Sequence, residues 1–188
     1  MHPLLGLGAP LVIGHRGNRA HAPENTLESL HQAAALGVDA LECDLRVTED
    51  DRLVVFHDPT VDRTTNARGP IGRLTLREAR LLDAGHRFSA DGGRSFPYRE
   101  RGLTIPTFDD VLEAFPAMPL IVELKTADAT ELAARTVDRH GAADRVLFGS
   151  FLDAALAPLR GRPYALSASV LQTRRALVDA LRGRAPQT

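Results

Sequence analysis

The sequence predicts a parallel α/β barrel of the TIM (β/α)8 type, reduced to about six strand–helix units. Three observations lead there. Short apolar runs alternate with helix-forming segments along the whole chain. Charged groups close those runs, as His15-Arg16-Gly17, Glu42-x-Asp44 and His57-Asp58. Such groups recur at the ends of the first four runs. A doubly wound sheet would gather them at one switch point, whereas a barrel turns every strand end toward one mouth.

The elements follow in order. Leu11–Gly14 is a first strand. Asn25 offers an N-cap, with Glu28 three residues on, and Leu27, Leu30, Ala34 and the closing Gly37 mark a helix. Val38–Leu45 and Leu53–His57 are the second and third strands. Thr75-Leu76-Arg77-Glu78 is a capping box that opens a short helix ending before Gly85. Residues 86–102 show little periodicity and read as an insertion over the barrel, which spans about 65–105 in all. Thr107–Phe115 is a capped helix and Leu120–Lys125 a fourth strand. Asp128 caps a helix running to His140. Arg145–Gly149 is a fifth strand, Ser150 caps a short helix, Tyr164–Ser169 is a sixth strand, and Gln172–Leu181 is a last helix. Right-handed crossovers make the expected sheet parallel throughout.

The 188 residues are expected to form one domain, 1–188. A complete barrel takes about 250 residues. The expectation is therefore a C-terminally incomplete barrel, two units short, with unpaired edges on its first and sixth strands. Open edges invite self-association.

A net charge of -1 argues against nucleic acid or an anionic membrane as the main partner. Met1–Gly8 lacks a basic n-region and a long apolar stretch, so neither a secretory signal nor stable membrane insertion is expected, and the chain reads as cytoplasmic. The single Cys43 excludes an intrachain disulfide and a cysteine zinc cage. It points away from Glu42 and Asp44 across its strand and reads as a small buried thiol.

Strand parity assembles the candidate site. Glu42 and Asp44 share one face of the second strand, and Ile121, Glu123 and Lys125 share one face of the fourth. If these faces point inward, Glu42, Asp44 and Glu123 meet in one cavity. Three carboxylates held together repel unless a cation neutralises them or a proton binds. An all-oxygen donor set favours a hard divalent cation, Mg²⁺ or Ca²⁺. The plainer alternative is a salt-bridge network with Arg16, Arg46 or Lys125. His15 and His57, each at a strand end, are the acid/base candidates. The plainer reading of the other histidines is structural, with His21 close enough to the mouth to examine. Arg16 is placed to grip a phosphate by two parallel hydrogen bonds, and Arg63 to tie down its own loop.

Together these motifs resemble the glycerophosphodiester phosphodiesterase family. The likeness runs through His15-Arg16-Gly17, Pro23-Glu24-Asn25-Thr26, Glu42-Cys43-Asp44-Leu45, His57-Asp58-Pro59, Ile105-Pro106-Thr107 and Glu123-Leu124-Lys125. It covers residues 11–170 and includes Asp91-Gly92-Gly93 and Phe96-Pro97-Tyr98. The resemblance implies a TIM-barrel enzyme that cleaves small glycerophosphodiesters to glycerol 3-phosphate and an alcohol. It implies a divalent cation on Glu42, Asp44 and Glu123, acid/base roles for His15 and His57, and phosphate contact or support of the metal site by Arg16 and Lys125. The sequence departs from the family at its end, where the Trp-Thr-x-Asn-like run of a seventh strand and the Thr-Asp pair of an eighth are not found. Two rivals stand beside this reading: an inactive or association-dependent remnant, and a barrel enzyme of other chemistry such as metal-assisted enolisation.

Overall fold

In the computed structural model the described residues are 3–5 and 10–182. The strands are β1 (Ile13–His15), β2 (Ala40–Val47), β3 (Leu53–Val55), β4 (Leu120–Leu124), β5 (Val146–Gly149) and β6 (Ala165–Leu166). The helices are α1 (Leu27–Ala35), α2 (Leu76–Ala79), α3 (Phe108–Ala114), α4 (Ala129–Arg139), α5 (Asp153–Leu156) and α6 (Val170–Leu181). Six strands form one sheet. Five run parallel in the order β1-β2-β4-β5-β6, and the outer edges of β1 and β6 have no strand partner among the described residues. This is an open α/β sheet of barrel type. No described helix is long and apolar enough to cross a membrane.

The expectation of a wholly parallel sheet fails at β3, which pairs antiparallel with the end of β2, Leu45 opposite Val55 and Val47 opposite Leu53. The reason is the connection. Only Thr48–Arg52 separate the two strands, closed by Thr48 N–H to Arg52 O at 3.0 Å. A parallel return needs a crossover of a dozen or more residues. β3 is thus a hairpin arm, and β4 takes the place beside β2.

The main core lies between the parallel sheet and its helices. Leu41, Cys43 and Leu45 of β2 and Leu120, Val122 and Leu124 of β4 meet Leu30, Phe108, Leu112, Val137 and Leu156. Cys43 is fully enclosed, and burial and the adjacent carboxylates push its thiol well above its usual range. β3 alternates with period two. Leu53 and Val55 join the main core, while Val54 faces a second, smaller core with Phe56, Val61, Ile71 and Ile105. That second core organises the long excursion over 56–107, which rejoins the sheet where Val55 N–H donates to Pro106 O at 2.8 Å.

Most helix starts follow the local pattern. Thr75/Glu78, Thr107/Asp110 and Ser169/Gln172 each form a capping box. Three predicted caps differ. Thr26, not Asn25, caps α1, its Oγ1 accepting from Ser29 N–H at 3.2 Å. Asp128 occupies the N-cap position of α4 without a side-chain cap bond. Ser150 lies before α5 and instead ties strand ends, donating to Leu124 O at 2.7 Å while accepting from Leu152 N–H.

Candidate active site

The parallel register builds the site. β1 and β2 pair His15 with Glu42, and β2 and β4 pair Asp44 with Glu123. Glu42 and Asp44 are two residues apart on one strand, so all four side chains fall on one face at the C-terminal strand ends. One carboxylate oxygen from each of Glu42, Asp44 and Glu123 lies within 4.8 Å of the others.

The turn after β1 bends sharply. Arg16 is left-handed at φ 57° and Gly17 at φ 80°. A Cβ on Gly17 would stand 2.5 Å from Ser29 Oγ, so only glycine lets this turn rest on α1. The bend turns the Arg16 N–H onto Glu42 Oε2 at 2.8 Å and sends its guanidinium back into the site. There Nη1 donates to Glu24 Oε1 at 2.9 Å and Nε lies 3.2 Å from Asp44 Oδ2. Lys125, just past β4, sets its Nζ 2.9 Å from Asp44 Oδ1 and 2.7 Å from Glu123 Oε2. The salt-bridge alternative is therefore partly realised.

These cations do not neutralise the cluster. Arg16 is shared with Glu24, and among the described residues Glu42 receives only a backbone N–H. Burial, followed by the adjacent Asp44 charge, raises the Glu42 carboxyl to about 7. Asp44 is fully buried, with Lys125 Nζ 2.9 Å from its Oδ1 and Arg16 Nε 3.2 Å from its Oδ2. Three converging carboxylates, one fully buried and one that resists ionising, fit a hard divalent cation held by oxygen ligands.

Asn25 holds Asp44 in place. It is buried and left-handed at φ 57°, with Nδ2 donating to Asp44 Oδ2 at 2.8 Å and Oδ1 accepting from Asp44 N–H at 3.3 Å. This role was missed in the sequence, where Asn25 looked like a cap.

The histidines sit differently. His15 is half exposed, with Nε2 3.8 Å from Glu42 Oε2. Burial and the charges of Arg16 and Arg19 lower its proton affinity, favouring the neutral ring. His57 lies at the exit of β3, its Nδ1 2.6 Å from Asp58 Oδ1. Arg63 bonds hold the Asp58 carboxyl down at about 2. Asp58 therefore stays ionised and accepts this bond, so the proton between them sits on Nδ1. Arg63 does tie down its own loop through Asp58, but it also reaches Glu24 with Nη1 and Nη2, at 2.8 and 2.6 Å. A continuous chain of polar contacts thus runs from His57 through Asp58, Arg63, Glu24 and Arg16 to Asp44. Glu24 is its centre. His21 stays exposed in the first loop.

A cavity of about 470 Å³ opens over the cluster. Its lining includes His15, Glu42, Ile121 and Glu123 from the strand ends, with Phe151 from the loop after β5 and Val170 from the first turn of α6. Sequence patterning gave no sign of Phe151 and Val170 there. His57 is not among its lining residues.

Fold and site together define a barrel-type α/β protein with a carboxylate cluster at its parallel strand ends. Residues 15–160 match the profile of the glycerophosphoryl diester phosphodiesterase family, and the chain belongs to that family. It is 36% identical over 148 residues to a glycerophosphodiester phosphodiesterase from Caldanaerobacter subterraneus subsp. tengcongensis, covering 75% of this chain and 58% of that one. A glycerophosphodiester phosphodiesterase from Bacillus altitudinis is 33% identical over 155 residues, 78% of this chain and 60% of the relative. The chain thus spans about three fifths of the length of these curated relatives. Among solved structures, the glycerophosphoryl diester phosphodiesterase domain of an uncharacterized Mycobacterium tuberculosis protein is similar with a TM-score of 0.84 and 28% identity, over 95% of this chain and 66% of that one. A phosphodiesterase from Oleispira antarctica, solved in complex with the product sn-glycerol-3-phosphate, is similar with a TM-score of 0.74 and 32% identity, over 90% of this chain and 72% of that one.

Proposed function

We propose that this chain hydrolyses small glycerophosphodiesters to glycerol 3-phosphate and an alcohol, with a divalent cation, Mg²⁺ or Ca²⁺, held by Glu42, Asp44 and Glu123. The observation that carries this reading is the carboxylate cluster, whose oxygens lie within 4.8 Å of one another and whose own cations leave it under-neutralised. Family membership supports the substrate class, as does the product held by the Oleispira antarctica relative.

The bound cation supplies electrophilic polarisation of the phosphoryl group and offsets its growing charge. The chain's residues supply the rest. Arg16 and Lys125, already against Asp44, contact the phosphoryl oxygens. One of His15 and His57 accepts the proton of the attacking hydroxyl, from water or from the neighbouring glycerol hydroxyl, and the other protonates the departing alcohol. The bond that breaks joins phosphorus to the alcohol oxygen, so phosphate stays on glycerol. Attack by the glycerol hydroxyl passes through a cyclic phosphate that water then opens.

The test is a coupled glycerol 3-phosphate assay on glycerophosphocholine, with Mg²⁺, with Ca²⁺ and with EDTA. Turnover that EDTA abolishes supports the reading. A cooperatively folded chain that releases no glycerol 3-phosphate from any glycerophosphodiester contradicts it.

A further inference from the structure

A second cavity, of about 180 Å³, lies between the first loop and the long excursion. Arg19, Arg63 and Arg87 line it, with Glu24, Thr64 and Ser89. The three arginines are not equally engaged. Arg63 is held on both sides, by Glu24 and by Asp58. Arg87 bonds only through Nε, to Thr65 O at 3.0 Å, and has no carboxylate partner among the described residues. Arg19 has neither an ion pair nor a side-chain hydrogen bond among them. Glu24, the carboxylate in the lining, is already committed to Arg16 and Arg63. Two arginines without a carboxylate partner among the described residues therefore line one small cavity.

The cavity adjoins the mouth. The Arg19 charge acts on His15, and Arg63 bonds Asp58, the partner of His57. It is built from the loop after β1 and from the excursion, whereas the Phe151–Val170 wall rises beyond β5 and β6. The two cavities share no lining residue, so the two halves of a diester centred on the carboxylates have separate cavities to occupy.

We infer that the arginine-lined cavity is a subsite for an anionic substituent, a phosphate monoester or a carboxylate, carried on the alcohol half of the substrate. The inference rests on the phosphodiesterase reading above. Guanidinium forks match the oxygens of such groups, and two of them around one anion offset their own repulsion. A quaternary ammonium head group meets like charge there and gains nothing.

The experiment compares kcat/KM for glycerophosphoinositol, its ring monophosphate and glycerophosphocholine, in wild type, Arg87→Gln and Arg19→Gln. Wild type is expected to favour the ring monophosphate about tenfold over glycerophosphoinositol, mainly through KM. Glycerophosphocholine is expected to be the poorest of the three. Each substitution should bring the monophosphate ratio toward one. The wild-type ratio decides the matter even if a variant does not fold. Equal kcat/KM for the two inositol substrates overturns the inference and leaves the phosphodiesterase reading intact. No turnover of any of the three overturns that reading and the inference with it. Inorganic phosphate is the remaining arm. Inhibition of glycerophosphoinositol turnover that weakens in Arg87→Gln, with no advantage for the ring monophosphate, assigns the cavity to free phosphate and also overturns the inference.

Discussion

Raising the pH through 7 without a cation should weaken the fold, and Glu42 sets the size of the effect. Its carboxyl moves from an ordinary 4.5 to about 7 in the folded chain, through burial first and the Asp44 charge second. The folded state therefore binds this proton more tightly than the unfolded state does. The resulting stabilisation is complete below about pH 4.5, fades as the pH rises through 7, and is absent above it. At about 1.4 kcal/mol per pH unit, the span from 4.5 to 7 is worth about 3 kcal/mol. His15 works in the opposite direction. Its lowered proton affinity makes stability fall as the pH drops below the ordinary histidine value of 6.5. The clean observable is therefore the difference between wild type and Glu42→Gln. Urea unfolding in EDTA at pH 5 and pH 8 should show wild type losing about 2.5 kcal/mol relative to the variant across that interval. Adding Mg²⁺ or Ca²⁺ at pH 8 should restore most of the loss to wild type and little to the variant. Parallel pH profiles for the two proteins would refute the claim that Glu42 is held uncompensated.

Two further predictions concern residues around the cluster. Asn25→Gly keeps the left-handed backbone but removes both bonds to Asp44; it should lower cation affinity by about tenfold or more and stability by about 1–3 kcal/mol. Calorimetric titration and urea unfolding check the two effects, and unchanged affinity would reduce Asn25 to a backbone role. His15→Ala and His57→Ala should each lower kcat by about 10²–10⁴ in the glycerol 3-phosphate assay while leaving cation affinity close to wild type. Full kcat in either variant would remove that histidine from the chemistry.

Much of the site was legible because its logic is local. Strand parity alone separates Glu42 and Asp44 from Cys43, and the structure puts Cys43 in the core and the carboxylates at the mouth. β4 contributes Glu123 by the same rule, once it lies beside β2. What parity does not give is strand direction. β3 has the same apolar character as its neighbours, and the short Thr48–Arg52 connection turns it antiparallel. Asn25 shows a second limit. The Asn25-x-x-Glu28 pattern is a sound local cap signal, but the side chain is drawn 19 residues along the chain to Asp44 while Thr26 takes over the cap. The Glu24–Arg63 bond, the Phe151–Val170 wall and the Arg19–Arg87 cavity join segments far apart in sequence, and no periodicity encodes them.

In the proposed function, three carboxylates on neighbouring parallel strands form one divalent cation site. Isothermal titration of the metal-free chain with Ca²⁺ and with Mg²⁺ tests it most directly. One ion per chain should bind, with release of close to one proton at pH 6 and little at pH 8, and binding should be lost in Asp44→Asn and Glu123→Gln. No binding by the folded wild-type chain, or binding that survives both substitutions, would contradict it.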